Sequence, residues 1–266
     1  MAIYPVKSIA KIACSSLEIQ DHGIPYDRKW MLIDEQGNFI TQREQSKLNE
    51  LKGKLIDNQF YFYHPDRVLD GFFIKSEFYL GKEINVKIWS DTVKSKLTNP
   101  LASEWLSNYL NITCAIVETI PENRYKNVIG VKKAIPLLYT DAYPIHIINQ
   151  ASVDNLSLKC GKSLDAYQFR PNIIVENLEE YREDEIRSFE INHIRFKIIK
   201  PCERCIISTL RPDQSRFQKE PLKSLAKYRK HGNAVWFGMY AIKSPEMESA
   251  SPNQFISVSD TFRILE

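Results

Sequence analysis

The sequence predicts a mainly β chain with some α structure (α+β). Three observations carry this: apolar and polar residues alternate with period two in several short segments, turn-rich sequence separates those segments, and only a few stretches keep helical spacing. Trp30-Met31-Leu32-Ile33 and residues 38–41 flank Asp34-Glu35-Gln36-Gly37, the pattern of a hairpin. Gln59-Phe60-Tyr61-Phe62-Tyr63, closed by Pro65 shortly after, suits a strand through its aromatic content. Ile84, Val86 and Ile88 alternate with Asn85 and Lys87, as in a half-buried strand.

A helix is predicted at 100–110. Asn99 can cap it, and Pro100 sits at the first helical position, where its missing N–H costs nothing. Leu101, Trp105, Leu106, Tyr109 and Leu110 fall on one face, and Asn111 ends it. A polar stretch at 118–130 follows, with Pro121, Glu122, Asn123, Lys126 and Asn127 and then Lys132 and Lys133, and reads as a linker or exposed loop. It divides the chain into a β-rich module at 1–117 and a second module at 118–266.

The second half mixes strands with short helices. Strands are expected at 145–148, 173–175, 194–198 and 262–265, and helices at 151–159, stopped by Gly161, and at 221–230, with Leu222, Leu225 and Ala226 inward and Gly232 as the stop. Residues 206–209 read as extended.

Hydrophobic residues make up 43% and charged residues 26%, enough apolar material for a sizeable core. A net charge of +3 gives no support to a nucleic-acid role. Lys7 and Lys11 interrupt the first twenty residues, so no signal peptide is expected, and no apolar run suits a membrane span. The five cysteines, Cys14, Cys114, Cys160, Cys202 and Cys205, are odd in number and scattered, which implies a reduced, cytoplasmic chain without a disulfide framework.

Four features carry chemistry. Cys202-Glu203-Arg204-Cys205 is half of a zinc site, a redox dithiol, a loop presenting one reactive thiol, or a pair of core cysteines near a turn. Spacing alone leaves all four open. Arg204 between the sulfurs favours thiolate character, and a thiolate is a soft metal ligand. Tyr4-Pro5-Val6-Lys7-Ser8 offers an ammonium and a hydroxyl to a phosphate, and Asp27-Arg28-Lys29-Trp30 offers a guanidinium. Phe169-Arg170-Pro171-Asn172 offers a guanidinium and an amide to a polar heterocycle. Each of these is equally an ordinary strand start or loop.

Together and in this order, these segments resemble the MOSC family, in the branch of amidoxime-reducing components and their bacterial homologues. Tyr139-Thr140-Asp141-Ala142-Tyr143-Pro144, Asn149-Gln150-Ala151-Ser152 and Phe237-Gly238-Met239-Tyr240 add to the match, which runs from residue 4 to 240. The resemblance implies a MOSC β-barrel packed against a β-rich N-terminal domain, with the site between them. It implies a molybdenum cofactor (Mo-molybdopterin) whose metal is held by Cys205. Lys7, Ser8 and Arg28 would grip its phosphate and pterin. Thr140, Asp141 and Ala142 would form a contacting loop, Arg170, Asn172 and Tyr240 would add contacts, and Glu203 and Arg204 would flank the metal ligand.

The implied reaction is reduction of N-hydroxylated compounds such as amidoximes and hydroxylamines, with a small-molecule substrate and no nucleic-acid or membrane partner. Neither an N-terminal anchor nor the four cluster cysteines of a ferredoxin domain is seen, so electrons are expected from a separate donor protein: a reductase, a ferredoxin or a cytochrome b5-like protein. A non-enzymatic cofactor or sulfur carrier using Cys205 is the rival reading. One departure stands out. Where many relatives have Thr-Thr-Val-Asp-Pro after the cysteine pair, this chain has Ser208-Thr209-Leu210-Arg211-Pro212, which reverses a charge close to the expected metal.

Overall fold

Alternating burial at Val86 and Ile88, with Asn85 and Lys87 exposed, marks the strand that the period-two pattern predicts. In the computed structural model, which describes residues 1–57, 59–75, 81–244 and 254–266, this strand belongs to the first of two principal sheets. The first half contributes β1 (Trp30–Ile33), β2 (Lys52–Ile56), β3 (Gln59–Tyr63), β4 (Gly71–Lys75), β5 (Glu83–Ile88), β6 (Asp91–Thr98) and β7 (Ala115–Glu118). Four of them form a sheet in the order β1-β7-β6-β5, and β2-β3-β4 form a separate three-stranded sheet. The strand expected at 38–41 is reduced to single bridges, Ile33 with Phe39 and Asn38 with Lys87. β7 runs across the expected division at 117/118 and stays paired with β1 and β6.

Helix α1 (Pro100–Leu110) begins as its sequence dictates: the Asn99 side chain accepts a hydrogen bond from the Ala102 N–H at 3.0 Å. Its buried residues are Ala102, Leu106 and Leu110. Leu101, expected on the inner face, is instead 75% exposed. The inner face is set by what packs against it, which a helical wheel alone does not contain.

The second half contributes β8 (Ile145–Asn149), α2 (Gln150–Cys160), β9 (Ile173–Val175), β10 (Ser188–Ile191), β11 (Ile194–Glu203), α3 (Leu222–Tyr228), β12 (Ala234–Lys243) and β13 (Phe262–Ile264). Six of its strands align in the order β9-β8-β12-β11-β10-β13, with Lys230–His231 added to β12 as a seventh. β8 and β9 run parallel, and the other ladders are antiparallel. α2 ends on Gly161, whose φ of 65° a glycine adopts freely. In α3 the inward residues are Ser224 and Leu225, while Ala226, expected inward, is exposed. Residues 206–209, expected to be extended, form one 3₁₀ turn, because the Ser208 N–H and hydroxyl both donate to the Cys205 carbonyl, at 3.0 and 2.9 Å.

Among the described residues the architecture is therefore mainly β with three α-helices, an α+β fold. Its largest apolar core draws on both halves, with Trp30, Phe62 and Leu106 from the first and Ile147, Phe189 and Ile256 from the second. The backbone stitches the halves together as well. Residues Phe255–Ser257 pair antiparallel with Ser16–Glu18, and the Ala2 N–H donates to the Asn172 carbonyl at 2.9 Å. Among the described residues no helix is long and apolar enough to cross a membrane.

Candidate functional site

The residues that the sequence singles out lie in six separate segments, and the fold brings all of them to one cavity of about 350 Å³. Lys7, Ser8 and Arg28 reach it from the first half. Thr140, Asp141, Ala142, Arg170, Asn172, Glu203, Arg204, Cys205 and Tyr240 reach it from the second.

Local backbone geometry aims these side chains. Ser8, Arg28, Trp89 and Arg170, all lining the cavity, have φ of 67°, 54°, 55° and 58°. Non-glycine residues occupy this left-handed region at a cost, and such strain concentrates where a ligand is held.

Lys7 is buried and donates to the Tyr139 carbonyl at 3.0 Å and to the Asp141 carboxylate. Burial draws its ammonium below the ordinary lysine range, and Asp141 opposes that pull. Asp141 is exposed at the cavity; desolvation works against its ionisation, yet Lys7 first, then Arg28 and Arg43, hold its carboxyl far below the usual range. Arg28 pairs with Asp27, whose carboxylate is buried and also accepts from the Tyr4 N–H at 2.8 Å. Arg28 further donates to the Arg170 carbonyl at 3.1 Å, and both guanidiniums lie over the Tyr4 ring, at 4.3 and 4.2 Å. Burial, with Arg28 close by, lowers Arg170 to about 10.

The two cysteines face different partners. Cys202 is buried, accepts from Arg204 at 2.8 Å and bonds the Tyr240 hydroxyl; burial pushes its thiol up. Cys205 is half-buried at the cavity wall. Arg204 turns to Cys202, and the cation at the Cys205 sulfur is Arg43, at 3.3 Å. Asn172 is engaged by the scaffold: its amide oxygen accepts from the His146 N–H at 3.0 Å, and its amide nitrogen donates to the Ala2 carbonyl at 3.3 Å. Arg211 does not line the cavity; its carbonyl accepts from Asn49 at 2.6 Å.

Sequence reasoning missed three contributors. Arg43 sits in an unremarkable turn. Arg124, inside the stretch read as linker or exposed loop, is buried and donates to the Leu138 and Thr140 carbonyls at 3.0 and 2.7 Å, which fixes the 140–142 loop. His146 lies hidden in an apolar run. Its Nδ1 faces the Arg170 carbonyl at 3.3 Å, and burial, then Arg204, keep the ring neutral.

The lining carries six cationic side chains, from Lys7, Arg28, Arg43, Arg170, Lys200 and Arg204, against the two carboxylates of Asp141 and Glu203. Among the described residues six buried side-chain polar atoms lack a hydrogen-bond partner, and five belong to residues lining this cavity: Gln42 Oε1, Thr140 Oγ1, His146 Nε2, Arg170 Nη2 and Arg204 Nε. Buried polar groups rarely stay unpaired without reason. This set fits an anionic, polar heterocyclic ligand of small-molecule size. Among the described residues no three His, Cys, Asp or Glu side chains converge on a metal position.

Gly238 supports this wall. Its φ is 76°, and a Cβ there would stand 2.6 Å from His146 Nε2 and 2.9 Å from the Ile147 carbonyl oxygen. Gly238→Ala is expected to cost about 1–3 kcal/mol through backbone strain and displacement of β8. A urea titration of the variant checks this; an unchanged midpoint would count against the tight packing.

Comparison with known proteins agrees with the geometry. Residues 1–113 match the MOSC N-terminal beta barrel domain, and residues 135–263 match the MOSC domain. The chain is 26% identical to mitochondrial amidoxime-reducing component 1 of Mus musculus over 265 residues, covering 91% of this chain and 77% of that protein. It is 28% identical to mitochondrial amidoxime reducing component 2 of Homo sapiens over 240 residues, covering 85% and 70%.

Proposed function

Since the chain is a MOSC domain protein carrying a MOSC N-terminal beta barrel domain, we propose that it is an oxidoreductase that binds the molybdenum cofactor through Cys205 and reduces N-hydroxylated compounds, amidoximes and hydroxylamines among them. One observation supports this most: a cation-rich cavity between the two halves, walled by unpaired buried polar atoms, with a half-buried thiol at its edge. The amidoxime-reducing relatives point to the same substrate class.

When bound, the cofactor supplies the two-electron chemistry that takes oxygen from nitrogen. The chain's own residues would do the rest. Buried Lys7 and half-buried Arg28 and Arg170 would balance the phosphate charge away from bulk water, in surroundings where cations act more strongly. Ser8 and the 140–142 loop, which line the same cavity, would add contacts to it. Thr140 Oγ1, His146 Nε2 and Arg204 Nε, each without a partner, are the groups available to a polar heterocycle. Neutral His146 and the Tyr240 hydroxyl can donate or accept a hydrogen bond. The Cys205 thiolate would hold the metal, and the cavity that it lines would admit the small substrate. Electrons come from a separate donor of the reductase, ferredoxin or cytochrome b5-like class.

The test is elemental analysis of purified protein, with amidoxime reduction driven by an artificial donor. About one molybdenum per chain and formation of the amidine are expected. Molybdenum-loaded protein inert toward every N-hydroxylated substrate would overturn the reaction. A persulfide on Cys205, seen by intact mass, with bound cofactor and no turnover, would move the reading to a sulfur or cofactor carrier.

A further inference from the structure

A segment of the first half grips the cysteine loop of the second at several points. The turn at 41–45 is rigid: Glu44 accepts from both the N–H and the hydroxyl of Thr41, at 3.0 and 2.6 Å, and the Arg43 N–H donates to the Thr41 hydroxyl at 3.1 Å. From this turn Arg43 reaches the Cys205 sulfur at 3.3 Å, while its guanidinium lies 5.0 Å from the Trp89 ring. Trp89 in turn donates to Asp141 at 3.3 Å. Farther along, Asn49 donates to the carbonyls of Arg211 and Gln214, at 2.6 and 2.8 Å, and Lys52 pairs with Asp213. The Gln42 amide donates to Asn49 at 3.1 Å and so links the two grips.

We propose that Arg43 is the positioning residue for the Cys205 sulfur, and that residues 41–52 are the brace through which the first half sets the place and the charge balance of that sulfur. The proposal rests on the reading of Cys205 as metal ligand. A thiolate turned toward a metal keeps negative charge that an adjacent guanidinium stabilises, and a planar guanidinium held between a turn and an indole has little freedom to drift. A group that orients a ligand in this way tunes the metal without touching substrate.

The experiment compares wild type with Arg43→Met and Arg43→Lys. In the metal-free full chain, the rates at which iodoacetate and iodoacetamide alkylate Cys205 are measured by mass spectrometry. A cation at the sulfur favours the anionic reagent, so the ratio of rates is expected to fall in Arg43→Met and to stay near wild type in Arg43→Lys. In the loaded protein, loss of the cation is expected to shift the molybdenum midpoint potential to more negative values and to lower kcat by about 10–100-fold, with KM little changed. Arg43→Lys restores the potential in part, since it keeps the charge and loses the planar fork. An unchanged alkylation ratio in Arg43→Met overturns the proposal whatever the metal content. Wild-type protein that takes up no molybdenum overturns the reading of Cys205 instead, and the ratio still decides whether Arg43 governs its sulfur.

Discussion

Cys205→Ser is expected to yield folded protein without bound molybdenum and with turnover at the detection limit. The expectation follows from how the loop is held. The Cys205 carbonyl accepts two hydrogen bonds from Ser208, and neither involves the sulfur. The backbone therefore keeps its course when sulfur becomes oxygen, and the loss falls on the ligand alone. A serine hydroxyl is a harder and far less acidic donor than a thiol and does not replace a soft ligand. Cys202→Ser is the control. That sulfur is buried and held by Arg204 and Tyr240, so a hydroxyl there keeps both partners, and the variant is expected to keep its metal at a small cost in stability. Molybdenum per chain, measured for both variants, decides the matter. Metal retained by Cys205→Ser and lost by Cys202→Ser would reverse the assignment.

The second large effect is expected at Arg28. Replacing it with leucine removes a cavity cation and strands Asp27, which is 1% exposed and then keeps only the Tyr4 N–H at 2.8 Å. Breaking a buried pair on one side costs about 3–5 kcal/mol. The same substitution frees the Arg170 carbonyl and removes one of the two guanidiniums flanking Tyr4, so Arg170, strained at a φ of 58°, loses a restraint. Cofactor affinity should fall along with stability. The double variant Asp27→Asn, Arg28→Leu separates the two effects. It is expected to recover a large part of the stability in urea unfolding while cofactor binding stays weak. Equal stability of the single and double variants would show that the buried carboxylate is not the cause.

How much of this was legible in the sequence depends on whether the signal was local. The strand through Ile84, Val86 and Ile88, the Asn99-Pro100 helix start and the Gly161 stop were legible, because backbone preference and period act over a few residues. Leu101 and Ala226 were misplaced because the inner face of a short helix is decided by distant partners. The turn at 206–209 escapes apolar periodicity because its cause is a pair of hydrogen bonds, from the Ser208 N–H and hydroxyl to the Cys205 carbonyl. The candidate site residues came from a family resemblance, and the fold gathers them around one cavity. Arg43 carried no signal at all, since 162 positions separate it from Cys205. Arg124 looked like linker for the same reason: its carbonyl partners are Leu138 and Thr140, and nothing in its own neighbourhood announces burial. Arg211, the charge reversal expected close to the metal, does not line the cavity.

The strand at Phe255–Ser257, laid against Ser16–Glu18, has a consequence for how the molecule comes into being. Leu17 cannot meet its partner Ile256 until the ribosome has released that much later segment. Until then Ser16–Glu18 lacks its antiparallel partner, and earlier still, before Cys205 is made, Arg43 has no sulfur to face. Synthesis of residues 255–257, their pairing with residues 16–18 and readiness to receive a ligand are thereby joined in time, so that a chain still lacking that segment offers no finished receptacle.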